Sequence, residues 1–514
     1  MNRKIIILLS LAAVSLLGGG CKKFLAEKSQ DEMTPETTES LNELLANEGY
    51  PIVNSSGTAT DGFSFCNYLQ LMDDDVHLQN YNAGEVGSAK PIYIWSDNMY
   101  AESALVAFGG GLKNPYQSLY NRIRGCNVVM DMLSSVSGPQ ADKDQMQGEA
   151  LTLRAYYYFM LANLYGWPYN DSVHSRTTSL AVPIITKGAI SSAPVARNTV
   201  QEVYDLMVSD IEKAVGLLEE QKSLSTVFRI NYRSAWLLAS RIFLHREQWD
   251  SVVKYTNAVI NDYPIISDLN TMKVPVAQGL FSLNNANFID PSNPEMLFLF
   301  SAARAGDGYY FNINATYPSL ITSPDLTSIY EPNDMRFAYY TATNPPPNFF
   351  LVRQSGYYMP SKYYVNGVAG RCFRMSEAYV NRAEANIRKV IAGGDPSLLQ
   401  AALDDLNNLR TKRFKVGAAN ATVTLASLNS DPQQVLQFYK AERRRELCFE
   451  EFRWFDLRRY GQPSIVHIYN PNEPFVTNAA LPVETYTLPA HGNRYVLKIP
   501  QANLDANSSL VQNP

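Results

Sequence analysis

Three consecutive carboxylates, Asp73, Asp74 and Asp75, are the densest chemical signal in this 514-residue chain. Two carboxyl groups flanking a glycosidic bond can hydrolyse it, but neighbours in sequence converge on one bond only if the fold aims them there. Calcium takes about six to eight oxygens, more than three adjacent residues establish, so no cofactor is assigned. One of the three aspartates is expected to contact a ligand while the others cap a turn. Downstream, PIYIWSDN offers a different chemistry. A sugar ring has an apolar face of C–H groups and a rim of hydroxyls, so its site needs a flat aromatic surface with polar groups at the edge. Trp95 supplies the platform, and Asn98, three residues on, the hydrogen-bonding partner. The alternation Tyr93–Ile94–Trp95 fits a short strand aiming both rings to one side, although the same rings would serve as ordinary core residues. Tyr309 and Tyr310 follow Ala305-Gly306-Asp307-Gly308 in a loop placed to complete an aromatic arc. HExxH, GxSxG and GxxxxGK are absent from the sequence and its five histidines are scattered, so the chain reads as a binding protein without catalytic machinery.

The N-terminus says where such a protein works. Arg3 and Lys4 precede an apolar run from Ile5 to Leu17. That run is shorter than the roughly 20 residues needed to cross a bilayer, and has the length of a signal-peptide core. Gly18, Gly19 and Gly20 then lead to Cys21, as expected of a lipoprotein signal in which residues 1–20 are removed and the Cys21 sulfur carries lipid. Of 44 Lys and Arg residues the signal holds two, Arg3 and Lys4, leaving 42 against 49 acidic residues and a net charge of −7. A surface that acidic is a poor match for nucleic acid. Cys66, Cys126, Cys372 and Cys448 are too few to build a disulfide scaffold, and Cys126 and Cys448 fall in helical patterns as buried thiols.

The elements that must position these groups are mostly helical. A polar tether over residues 27–60 leads into a helix at 35–47. Residues 113–134 place Tyr116, Leu119, Ile123, Cys126, Val129 and Leu133 on one face at three- and four-residue steps, and 140–165 continue as the second arm of a hairpin. Further helices are expected at 198–221, 231–246, 248–262, 374–391, 396–413 and 432–460. The pair beginning RSAWLLASRIF fits a tetratricopeptide register: Trp236, Ser240 and Phe243 on the first helix, Val252, Val259 and Pro264 on the second, with Thr256 where an aromatic is expected. Such pairs need neighbours to bury their faces. Residues 265–370 form a loop-rich, irregular lobe with minor β structure, and ten of the 32 tyrosines lie within 301–370, as in an aromatic binding surface carried on a helical frame. In ERRRELCFEEFRWFDLRR, residues 442–459, the acids balance most of the arginines. The stretch reads as a structural clasp, with Trp454 and Phe455 buried and Arg458 beside Glu451 or Asp456.

Taken in order, CKKFLAEKSQDEMTP, NPYQSLYNRIRGCNVVMD, GEALTLRAYYYFMLANLYGWPY, the pair around Trp236, MSEAYVNRAEANIRK, AERRRELCFEEFRWFDLRRYG and the tail YVLKIPQANLDANSSLVQNP resemble the SusD/RagB family over the whole mature chain. The resemblance implies a mainly α, tetratricopeptide-like composite fold, with an N-terminal region at 21–230 and a C-terminal region at 231–514. It implies an outer-membrane lipoprotein that binds a glycan, or less often a peptide, and passes it to a SusC-like TonB-dependent transporter. Trp95 and Asn98 are similar to the Trp-x-x-Asn arrangement of starch-binding members. Tyr93 stands where a second tryptophan is expected, and Asp74 or Asp75 at an upstream acidic position beside the ligand. The alternative from another class is a lipid-anchored helical-repeat scaffold that organises envelope proteins. Cys21→Ala is expected to release the protein from the membrane fraction or leave it unprocessed; a parent chain that takes up no fatty-acid label would overturn the lipoprotein reading.

Overall fold

A computed structural model of the chain describes residues 34–51, 69–80, 83–103, 115–272, 277–278, 282–283, 288–300, 320–343, 358–360, 371–473 and 481–514. Cys21, Cys66, Tyr309 and Tyr310 lie outside the described residues, as do most of the tyrosine-rich loops.

The expected helices are present, with ends set by local chemistry. Val200–Gln221 opens on a capping box, in which the Thr199 side chain accepts from the Glu202 N–H and the Glu202 side chain accepts from the Thr199 N–H. It closes on Lys222 in the left-handed region. Asn231 and Ser234 cap Tyr232–His245 in the same way, and Asp431 with Pro432 starts Pro432–Leu447. The six predicted face residues of Pro115–Met132 and its C-terminal extension, Tyr116, Leu119, Ile123, Cys126, Val129 and Leu133, are all buried. Gly125 on this helix is required by close approach: an added Cβ would stand 2.2 Å from the Glu48 carbonyl oxygen of the neighbouring turn. Gln140–Tyr165 is the central helix. From Gly148 onward every residue is buried, so it is enclosed on all sides rather than amphipathic, and its buried charges are paired, Arg154 with Asp210 and Glu149 with Arg229.

Helix pairs stack around it. Gln140–Tyr165 packs on Val200–Gln221, Tyr232–His245 on Trp249–Asp262, and Met375–Ile391 on Trp249–Asp262, Leu398–Thr411 and Pro432–Leu447. This is a helical, tetratricopeptide-like scaffold. In the pair around Trp236 the predicted core positions Trp236, Ser240, Phe243, Val252 and Val259 are buried. The aromatic missing at Thr256 is supplied one residue earlier: Tyr255 stacks on Phe243 at 5.5 Å, while the Thr256 hydroxyl donates to Val252 O. Among the described residues sheet is limited to short antiparallel pairs, including Val76–Leu78 with Leu320–Thr322, Met296–Phe300 with Arg371–Arg374, and Ile465–Tyr469 with Glu484–Leu488.

Two features differ from the sequence reading. The helix expected over 432–460 is broken: Pro432–Leu447 ends at Cys448, and Phe452–Arg459 begins after Phe449 and Glu451 adopt φ of +64° and +69°. Arg458 approaches neither Glu451 nor Asp456. Its guanidinium donates to the Asn163 and Gly166 carbonyl oxygens at the end of the central helix, where a cation meets the negative pole of the helix dipole. Burial lowers its pKa to about 10, leaving it charged at neutral pH.

The broken helix aims a buried charge lattice. Glu446 accepts from Arg374 at 2.6 Å and from Arg413 at 2.9 Å, and pairs with Arg336. Arg374 also donates to Glu295 and Glu450, Arg413 to Glu295, and Arg336 to Asp334 and Glu442. Burial opposes ionisation of Glu446, but the Arg413 and Arg374 charges outweigh it and hold its pKa well below the usual range. Removing one partner of a buried pair leaves an uncompensated charge. Glu446→Ala is therefore expected to cost about 3–5 kcal/mol of stability in urea denaturation, and a midpoint equal to the parent's would refute this role.

Candidate functional site

The acidic triplet forms a turn entering strand Val76–Leu78. The Asp75 N–H donates to Asp73 Oδ1 at 2.8 Å, so Asp73 caps the turn, a role the sequence reading gave to two of the three aspartates. Ser323, following the partner strand, donates its N–H to Asp75 O and its hydroxyl to Asp74 O. Two arginines from the clasp close the cluster. Arg453 donates Nε and Nη2 to the two Asp74 carboxylate oxygens at 2.6 and 2.7 Å, and Arg444 donates Nε to Asp75 Oδ1 at 2.8 Å. Asp73 and Asp75 are buried, whereas Asp74 is partly exposed. Burial works against ionising Asp74, yet the Arg453 hydrogen bonds with the Arg444 and Arg453 charges bring its pKa down to about 2. Burial, then the charges of Asp75 and Asp74, push the Asp73 carboxyl well above its usual range. The cations here are guanidinium groups. Only Asp73 Oδ2 and Asp75 Oδ2 remain unpartnered, short of the roughly six to eight oxygens that calcium takes.

Tyr93 and Trp95 are not on a strand. Residues Ala83–Tyr93 are helical, and Trp95 sits just past the helix end with φ of +54°. A bulky residue in the left-handed region is uncommon, and tertiary contacts hold it there. Its indole N–H donates to Met72 O at 2.9 Å, and its ring stacks on His467 at 4.2 Å with 21° between planes. Tyr93 stacks on the same imidazole at 4.1 Å and 14°, and its hydroxyl donates to Ile468 O. Two rings parallel to the imidazole at that distance occupy its opposite faces. Both are 1% exposed, so the expected open platform is instead the wall of a closed aromatic sandwich. Asn98, three residues on, is exposed; its N–H bonds locally to the Ser96 hydroxyl, and its carbonyl accepts from Glu102.

The structure thus brings Asp73, Asp74, Asp75, Tyr93 and Trp95 together around a residue the sequence reading passed over. His467 lies on strand Ile465–Tyr469, where Ile465, His467 and Tyr469 are buried and Val466 and Ile468 are exposed. That alternation was present in the sequence as IVHIY. A pairing partner 374 positions away in the chain was not readable there. The same holds for Arg444 and Arg453, which were visible only as members of a charged helix.

His467 Nδ1 lies 2.6 Å from Tyr93 O and Nε2 lies 2.8 Å from Asp73 O. Burial lowers its pKa to about 4, against the raising effect of the two carbonyls. The unfolded histidine titrates near 6.5, so the unfolded chain binds the extra proton between about pH 6.5 and 4. Stability from this residue is complete above that window and is lost as pH falls through it, by about 3 kcal/mol in all. Buried His245 is lowered in the same direction. Urea denaturation from pH 7 to 4 is expected to show a shallower loss for His467→Phe than for the parent; identical slopes would refute this. Trp95→Ala is expected to cost about 3–5 kcal/mol, as for a buried aromatic, and an unchanged midpoint would place the ring in solvent.

A family model described as starch-binding associating with outer membrane matches residues 23–244, and a SusD family model matches residues 300–514. A SusD-like protein P38 of Formosa agariphila is 22% identical over 386 residues, covering 67% of this chain and 71% of that protein. A SusD superfamily protein of Bacteroides thetaiotaomicron has the same fold at TM-score 0.67 and 23% identity, over 93% of this chain and 100% of that one. A SusD-like carbohydrate binding protein of Bacteroides vulgatus superposes at TM-score 0.65 and 19% identity, over 92% and 97% of the two chains. The two family models follow one another in order along the chain, and its helical scaffold matches the solved SusD-type structures: the chain belongs to the SusD/RagB family, whose N-terminal model is described as starch-binding and associating with the outer membrane.

Proposed function

We propose that this protein captures a glycan, or another nutrient oligomer, at the cell surface and delivers it to a SusC-like TonB-dependent transporter. The observation that carries this reading is the in-order match of two SusD-type models across residues 23–244 and 300–514. Lipid on Cys21 would hold the protein at the outer membrane; among the described residues no helix is long and apolar enough to cross one. Ligand would be met beside the acidic turn. Asp74 is the partly exposed carboxylate of the triplet and Asn98 an exposed amide, the edge chemistry that sugar hydroxyls need, with Trp95 behind them. The acidic turn supplies no pair of carboxylates free to act as acid and base: Asp74 and Asp75 are engaged by arginine, and Asp73 and Asp75 are buried.

Calorimetry of the mature protein against a polysaccharide and oligosaccharide panel is expected to find a ligand and no hydrolysis products. Because Asn98 is exposed, Asn98→Ala should leave the melting temperature within a degree or so while weakening that ligand about tenfold, or about 1.4 kcal/mol. A panel bound by none of its glycans but answered by peptides would sink the glycan reading. Turnover abolished by Asp74→Asn would sink the non-catalytic one.

A further inference from the structure

A second cleft lies away from the acidic turn, at the start of the central helix. It holds about 430 Å³ between helix Thr38–Leu44, the first turns of Gln140–Tyr165 and the loop that follows Val200–Gln221. That volume is within the range of small-molecule sites, about 300–1,000 Å³. Arg453 holds Asp74, and Arg458 on the same helix meets the Asn163 and Gly166 carbonyls at the far end of the central helix. From Gln145 to Asn163 that helix runs roughly 27 Å at 1.5 Å per residue, so the cleft and the acidic turn are separate sites.

The charges that line the cleft are unequal. Glu39, Asp142 and Glu149 are set against one guanidinium, Arg229. That guanidinium is already engaged: it pairs with Glu149 at 2.5 Å, donates to Asn42 Oδ1 and lies 4.5 Å from the centre of the Tyr50 ring. Glu149 also accepts from the Tyr50 hydroxyl at 2.7 Å and from Gln145 Nε2 at 2.9 Å. The inner wall is therefore a closed, neutral pair, while Glu39 and Asp142 stand exposed at the rim. Hydrogen-bonding capacity is lopsided in the same direction. Arg229 and Gln145 Nε2 are used as donors, but Gln145 Oε1 and the hydroxyl of Thr38, which is 3% exposed, have no partner. What the lining has to spare is the capacity to accept, together with negative charge.

A guest that matches such a cleft brings donors and positive charge. A primary ammonium has three N–H donors, no acceptor and a compact charge. A neutral sugar would leave the rim carboxylates uncompensated, and an anion would be repelled by them. We propose that the cleft is a second ligand site, for small polar molecules carrying a primary ammonium group, from an amino sugar or from a lysine side chain. Glu39 and Asp142 hold the charge at the rim, with the Gln145 and Thr38 oxygens as neutral acceptors in the wall.

Calorimetry of the mature protein at pH 6, where aliphatic amines are protonated, tests this with glucosamine, N-acetylglucosamine and Nα-acetyl-lysine amide. Glucosamine and N-acetylglucosamine share a ring and differ in the ammonium group. At least one of the two amines is expected to bind about tenfold more tightly than N-acetylglucosamine, and the tighter amine identifies the source as sugar or peptide. Asp142→Asn and Glu39→Gln, both at exposed positions, should each weaken that amine about threefold or more with the melting temperature unchanged. Asp74→Asn, which alters the other site, should leave its affinity as it was. Amines that bind no more tightly than N-acetylglucosamine would overturn the site, as would an affinity lost in Asp74→Asn and kept in both rim variants. The glycan panel bears on the acidic turn, so its failure would leave this result standing.

Discussion

Several elements of the C-terminal half are joined by buried guanidinium–carboxylate contacts centred on Glu446. Arg336, Arg374 and Arg413 are among the largest fully buried side chains, and each pairs with Glu446 and with at least one further carboxylate. Desolvating several ions costs far more than one Coulombic contact returns, so such a lattice persists only if nearly every donor and acceptor is used. That condition fixes geometry more tightly than apolar packing would. It joins strand Met296–Phe300 and its neighbour Arg371–Arg374 to Leu398–Thr411 and Pro432–Leu447, elements brought together from distant parts of the chain.

The break after Leu447 follows from the same requirement. A helix continuing from Pro432 through Arg459 would carry Glu450 and Glu451 away at a fixed 100° per residue. The left-handed turns at Phe449 and Glu451 redirect them instead, Glu450 to Arg374 and Glu451 to Arg371. Past the break, Arg453 reaches Asp74, and Arg458 reaches the end of the central helix. A second buried guanidinium closes that end: Arg197 donates to the carbonyls of Tyr165, Ala181 and Val511, so the C-terminal tail is tied to the central helix without a counter-ion.

This explains what could be read from sequence. Helices with a clear apolar period, such as Pro115–Met132 and Tyr232–His245, were legible because burial alone sets their register. The 432–460 segment looked like one helix because its charges satisfy three- and four-residue spacing; two such pairs form, Glu442 with Arg445 and Asp456 with Arg459, but the partners that break the helix, such as Arg374 with Glu450, are long-range. The clasp was legible as a role and illegible as a shape. At the candidate site Tyr93 and Trp95 are buried, the core arrangement weighed beside the open platform. Tyr93–Ile94–Trp95 alternates like a strand, while Ala83–Tyr93 is helical and the left-handed residue at 95 brings both rings onto one histidine from opposite sides. Nothing local to PIYIWSDN indicates His467, because the imidazole arrives from a hairpin near the other end of the chain.

The charge lattice and the acidic turn meet at Arg444 and Arg453. They leave the clasp and engage Asp75 and Asp74, so the turn that presents the partly exposed carboxylate is braced by the same helices that carry the lattice. The aromatic side of the site has no comparable brace. Trp95 is held by one hydrogen bond to Met72 O and by the stack on His467, and the imidazole lies between the backbone carbonyls of Tyr93 and Asp73. An acidic edge braced by arginine thus adjoins an aromatic wall whose packing centres on one buried imidazole.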